Sequence, residues 1–106
     1  MKNARLILVE DDPFTRATLG DALALHGFDV RARIGTAIEA IEAQQKHDPQ
    51  VALLDLDLGI GASGIDLAIA LRKKNPKIGI FTNSFLPINT EVKKQRRQSS
   101  MQTIIY

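Results

Sequence analysis

Leu6-Ile7-Leu8-Val9 is an unbroken apolar run that stops at Glu10-Asp11-Asp12. A run without alternation leaves no polar face for water, so it predicts a strand covered on both sides, as in a parallel sheet. Asp12-Pro13 predicts a helix start, with the aspartate as cap and the proline at the first helical position. That helix runs from Pro13 to His26 with Leu19, Ala22 and Leu23 on one face, and Gly27 closes it.

The same alternation recurs down the chain. Phe28 to Ile34 predicts a more polar strand suited to a sheet edge, because Arg31 and Arg33 alternate with apolar neighbours. Gly35-Thr36 opens a helix carrying Ala37, Ile38, Ala40 and Ile41, which His47-Asp48-Pro49 closes. Val51-Ala52-Leu53-Leu54 predicts a second fully buried strand, ending on Asp55. A loop, Gly59-Ile60-Gly61-Ala62-Ser63-Gly64, leads to a helix with Leu67, Ala70 and Leu71 that stops at Asn75-Pro76. Ile78-Gly79-Ile80-Phe81 predicts a third buried strand ending on Thr82. Asn89-Thr90 caps a further helix through Val92 to Gln98, and Thr103 to Tyr106 is a candidate fifth strand. Strands alternating with helices in this way predict repeated β-α-β units. The fold class is α/β, a doubly wound parallel sheet with helices on both faces in a three-layer sandwich.

Composition narrows the class without changing it. The 106 residues suffice for one domain, and 44% hydrophobic with 25% charged residues matches an ordinary globular protein. No stretch approaches the roughly 20 apolar residues of a membrane span, and none reads as an export signal, so a cytoplasmic location without membrane contact is expected. The chain has no cysteine, which excludes disulfides and thiolate metal sites. The net charge of +2 is local: residues 1–90 carry ten Lys/Arg against eleven Asp/Glu, and the surplus is Lys93, Lys94, Arg96 and Arg97. A single basic segment without interleaved aromatics reads as a solvated helix or tail, so no direct nucleic-acid binding is expected. Phe14, Phe81 and Phe85 read as core or edge packing, and His26 and His47 as charge partners at helix ends.

Chemistry concentrates where the apolar runs end. Glu10-Asp11, Asp55 and Thr82 terminate parallel strands, so they share one edge of the sheet, where doubly wound folds bind ligands. Carboxylates gathered there repel one another, and a bound cation relieves the repulsion. With oxygen ligands, no cysteine and no well-placed histidine, a hard ion such as Mg²⁺ fits better than zinc. Asp12 reads as a helix cap and no more.

Three stretches, LILVEDDPFTRATLGDALALHGF, DPQVALLDLDLGIGASGIDLAIALRKKNP and IGIFTNS, resemble the receiver domains of two-component response regulators. They span nearly all of residues 6–84 in that family's order and spacing. The resemblance implies a five-stranded parallel sheet in the order 2-1-3-4-5. It implies that Asp55 is the phosphoacceptor. Asp11 would ligate Mg²⁺ directly, Glu10 through water, and the backbone carbonyl of Asp57 would complete the metal site. Thr82 would contact the phosphoryl group as the switch hydroxyl. The implied donor is a sensor histidine kinase or a phosphotransfer protein, the response is a conformational switch controlling an output such as transcription, and a homodimer is a further implied partner. The chain would be a phosphoprotein and no enzyme beyond self-dephosphorylation.

Several positions depart from the family's pattern. Tyr106, the last residue, is the candidate switch aromatic, and the lysine expected at the end of the fifth strand is absent from the chain. Lys93 and Lys94 precede any fifth strand. The last helix is missing as well, so residues 1–106 read as one receiver domain, shortened at its C-terminus and without an output domain. Gly59 replaces the family's usual proline, and Asp57 adds a carboxylate. The missing lysine keeps a pseudo-receiver open as an alternative, a binding or dimerisation module without phosphorylation. Asp55-Leu56-Asp57 also resembles the nucleophile motif of haloacid-dehalogenase-type phosphatases, but that motif belongs on a first strand with Thr or Val where this chain has Gly59.

Overall fold

A computed structural model describes residues 3–55 and 64–82. Within them the order is β1 (Arg5–Val9), α1 (Pro13–Leu25), β2 (Asp29–Ile34), α2 (Ala37–His47), β3 (Val51–Leu54), α3 (Gly64–Lys74) and β4 (Gly79–Thr82). The strands form one parallel sheet in the order β2-β1-β3-β4, as expected for the first four. The chain leaves β1 toward one side and returns to the other, so the strand order reverses between β1 and β3. The candidate fifth strand, the helix before it, Asp57, Phe85 and Tyr106 lie outside the described residues.

The apolar runs divide between two cores. Leu6, Leu8, Val51 and Leu53 point to the α1 side, where they meet Leu23 and the half-buried Leu19. Ile7, Val9, Ala52 and Leu54 point the other way, onto Ala40 and Ala43 of α2 and Leu67, Ala68 and Leu71 of α3. Successive strand residues face opposite sides of a sheet, so a strand covered twice must be apolar at every position. This is the physical reason for the unbroken runs.

β2 lies at the edge, and its pairing with β1 shifts register between Leu6 and Ile7. Leu6 is paired with Val30 and Ile7 with Ala32, which leaves Arg31 as the extra residue of a β-bulge. The shift moves the strand's apolar side from one core to the other. Val30 packs on the α1 side, whereas Ala32 and Ile34 pack on the α2 side. Arg33 is left facing α1, where it donates to Asp21 Oδ1 at 2.8 Å and lies across Gly20. A Cβ at Gly20 would come within 2.6 Å of Arg33 Nε, so a larger residue there would push the Arg33 side chain aside.

The helix ends follow the sequence closely. Asp12 caps α1 by accepting the Thr15 N–H at 2.7 Å, and Pro13 occupies the first turn. Gly27 follows the C-cap with φ 97°, a left-handed conformation that glycine adopts without strain. Thr36 caps α2 by accepting the Glu39 N–H at 3.2 Å, while Glu39 Oε1 accepts from the Thr36 hydroxyl at 3.1 Å and the Gly35 N–H at 3.4 Å. Thr36→Ala removes the cap and is expected to cost about 1 kcal/mol in urea denaturation, with Mg²⁺ binding retained.

Helix faces differ from expectation at several positions. Ala22 is exposed; the buried stripe of α1 runs through Gly20 and Leu23 instead, and a side chain as small as alanine gives periodicity little to register. On α2, Ile38 and Ile41 are 72% and 39% exposed, and Ala40, Ala43 and Gln44 face inward. The small residues let α2 approach α3 closely, and Gln44 Nε2 donates to the Leu71 carbonyl at 2.9 Å. On α3 the buried alanine is Ala68, and Ala70 is half-buried. β4 alternates, with Ile80 and Thr82 buried and Gly79 and Phe81 half-buried. Phe14 is 75% exposed at the start of α1 and belongs to neither core, contrary to its reading as packing.

Candidate functional site

Register brings the polar strand ends together. Val9 is paired with Leu54, and Leu54 with Thr82, so Glu10 and Asp55 leave the sheet side by side and Thr82 stands one residue earlier on the next strand. The Asp55 N–H donates to the Val9 carbonyl at 2.9 Å, and the Glu10 N–H to the Ile34 carbonyl at 2.9 Å. Asp55 is therefore anchored to the central strand β1, and Glu10 to the end of the edge strand β2. The site sits where strand order reverses, the crevice in which sheets of this architecture hold ligands.

Carboxylate oxygens of Glu10, Asp11 and Asp55 lie within 4.8 Å of one another. Glu10 is buried, at 4% exposure, Asp55 is half-buried and Asp11 is exposed. The Glu10 side chain accepts the Asp12 N–H at 3.2 Å, which draws it toward the start of α1. Thr82 is buried, and strand alternation puts it on the same face as Ile80. The Asp57 carbonyl and Tyr106 fall outside the described residues.

The donor set suits a hard divalent cation. It consists of carboxylate oxygens, which Mg²⁺ prefers, and it offers no imidazole or thiolate. Oxygens bound to one Mg²⁺ at about 2.0–2.1 Å stand at most about 4.2 Å apart. The three oxygens lie within 4.8 Å of one another, so any excess over that span closes by a small side-chain rotation or by a water between one carboxylate and the ion. Three negative charges against two positive ones also leave the site attractive to a cation.

Asp12 takes a different part from its acidic neighbours. The Thr15 backbone N–H, reinforced by the Arg16 guanidinium, holds its carboxyl below the usual carboxylate range. A depressed value means that its contribution to the helix start is complete above the ordinary carboxylate pKa and is lost as pH falls through the lowered one. The reading of Asp12 as a cap agrees with this geometry.

Arg16 was not among the sequence candidates. Its Nη1 donates to the Glu10 carbonyl at 2.9 Å. The signal available in sequence was its position: three, four and seven residues before Leu19, Gly20 and Leu23, it is a cation on the inward stripe of α1.

A family model for the response regulator receiver domain matches residues 6–105. The chain is similar to a cyclic di-GMP phosphodiesterase of Thermotoga maritima, 39% identical over 77 residues, covering 72% of this chain and 20% of that protein. It is 34% identical over 102 residues to the sensor protein TorS of Escherichia coli, covering 95% of this chain and 11% of TorS. Among solved structures it resembles a two-component response regulator of the LuxR family from Aurantimonas sp. SI85-9A1. That match has a TM-score of 0.71 and 27% identity, covering 76% of this chain and 58% of the other. The chain thus spans a fifth or less of these two curated relatives. Among the described residues, no helix is long and apolar enough to cross a membrane.

Proposed function

The chain belongs to the response regulator receiver domain family, and from that premise we propose that it accepts a phosphoryl group on Asp55 in a Mg²⁺-dependent reaction. The convergence of Glu10, Asp11 and Asp55 within 4.8 Å at the reversal of strand order carries this reading. An Asp55 carboxylate oxygen attacks phosphorus in line, the bond from phosphorus to the donor histidine nitrogen breaks, and an acyl phosphate forms. A bound Mg²⁺ would neutralise charge on the carboxylates and on the phosphoryl oxygens together. Asp11 would hold the ion directly, Glu10 through water, and the Asp57 carbonyl would complete the set.

Asp55 is suited to its part by its backbone. The bond from its N–H to Val9 fixes the residue at the strand end, so its carboxylate is presented without a loop to order first. Phosphorylation adds about −1.5 to −2 charges. Thr82, one residue back on the adjacent strand, is the hydroxyl that turns toward the new oxygens, moving the end of β4 with it. The donor in this reading is a sensor histidine kinase or phosphotransfer protein in the cytoplasm. The chain is a substrate of that kinase, with self-dephosphorylation its own chemistry, and the output it controls is carried by other segments or partners.

Incubation with acetyl phosphate and Mg²⁺, followed by mass spectrometry, tests the proposal. The expected product is an acid-stable, base-labile adduct of one phosphoryl group on Asp55, absent in chelator. Failure to form it with Mg²⁺ bound would assign the chain to the pseudo-receivers, which bind partners without phosphorylation. Sustained phosphate release over many turnovers would instead indicate a phosphatase.

A further inference from the structure

Arg16 reaches from α1 into the space between the ends of β1 and β2. Its Nη1 donates to the Glu10 carbonyl at 2.9 Å, and the same nitrogen lies 2.8 Å from where a Cβ on Gly35 would stand. Glu10 is therefore held by its N–H on Ile34, by its carbonyl on Arg16 and by its side chain on the Asp12 N–H. The second of these has a consequence for Asp11. The Glu10 carbonyl belongs to the rigid peptide plane that joins the two acidic residues. Fixing its oxygen fixes the rotation of that plane, and with it the direction in which Asp11 leaves the chain.

We infer that Arg16 is a positioning residue for the divalent cation site: seated against Gly35, its guanidinium holds the Glu10–Asp11 peptide so that both carboxylates converge with Asp55. The inference rests on the reading of this cluster as a Mg²⁺ site. It differs in sign from a simple charge effect. A guanidinium on the Glu10–Asp11 peptide repels an incoming cation, so on electrostatics alone its removal tightens Mg²⁺ binding. Positioning requires the reverse, because residues that orient ligands typically contribute about 10–100-fold to metal affinity.

Calorimetric titration of the chain with Mg²⁺ alone tests this, with melting temperatures measured in chelator alongside. Arg16→Ala is expected to weaken Mg²⁺ binding about tenfold. Gly35→Ala keeps every charge, but its methyl would stand 2.8 Å from Arg16 Nη1 and displace that nitrogen, and it is expected to weaken binding in the same direction. Arg16→Lys, which retains a donor without the planar fork, recovers part of the loss. The double variant binds no more weakly than the weaker single, since both act through one contact. Unchanged or tighter Mg²⁺ binding in Arg16→Ala and Gly35→Ala overturns the inference, as does a fall in melting temperature with wild-type affinity in the folded protein. Wild-type protein that takes no Mg²⁺ removes the metal reading itself. Normal wild-type binding with indifferent variants removes only the part given to Arg16.

Discussion

Asp55→Asn is expected to give a folded protein that acquires no phosphoryl group from acetyl phosphate at any Mg²⁺ concentration. Asparagine has nearly the shape of aspartate, and the bond from residue 55 to the Val9 carbonyl uses the backbone N–H, which the substitution leaves in place. What changes is the nucleophile. A neutral amide has no carboxylate oxygen to attack phosphorus, and removal of one charge also weakens the hold of the acidic cluster on a cation. Stability should move the other way. Three carboxylates within 4.8 Å oppose one another when no cation is present, so the variant should melt at or above the wild-type temperature in chelator. Mass spectrometry and thermal denaturation check the two halves separately. A phosphoryl adduct persisting in Asp55→Asn would place the acceptor elsewhere.

Leu54→Ala should be the most damaging substitution for folding among those near the site. Leu54 is fully buried, paired with Val9 on one side and Thr82 on the other, and it packs into the core shared by α2 and α3. Truncation removes the transfer free energy of the side chain and leaves a cavity between the sheet and the two helices packed on it. A loss of about 3 kcal/mol is expected from chemical denaturation. Against a total stability of about 5–15 kcal/mol that is a large fraction. Because Asp55 follows directly, loosening of the strand end should also slow phosphorylation. Leu54→Met, which conserves volume, should cost less than about 1.5 kcal/mol. A Leu54→Ala protein as stable as the wild type would mean that this core is far less tightly packed than the burial of its members indicates.

The sheet was legible because burial on both faces removes alternation, and four-residue runs such as Leu6–Val9 and Val51–Leu54 suit little besides a strand covered twice. The acidic cluster was legible for a related reason. Parallel strands put their carboxyl ends on one edge, so residues distant in sequence could be gathered without knowing any side-chain geometry. The helix faces were less so. Ile38 and Ile41 look like core residues, yet α2 turns Ala40, Ala43 and Gln44 inward, and Gln44 is accommodated there by its bond to the Leu71 carbonyl of α3. Arg16 escaped notice because its partner is a backbone carbonyl, which every residue possesses and no sequence pattern marks. The bulge at Arg31 was hidden similarly: the apolar positions of β2 keep their spacing, and only the pairing with β1 shows that they serve two different cores.

That bulge makes β2 a measuring rod. The strand contributes no reactive group, yet the Ile34 carbonyl at its far end supports Glu10. Whether it arrives there depends on how many residues separate Asp29 from Ile34, and Arg31 is the one that pairing with β1 does not require. Deleting it would draw Ile34 one step back along the edge and withdraw the support, whereas exchanging its side chain would leave the count intact. Selection at this segment should therefore act on length more than on chemistry, tolerating varied residues at the bulge and rejecting insertions and deletions.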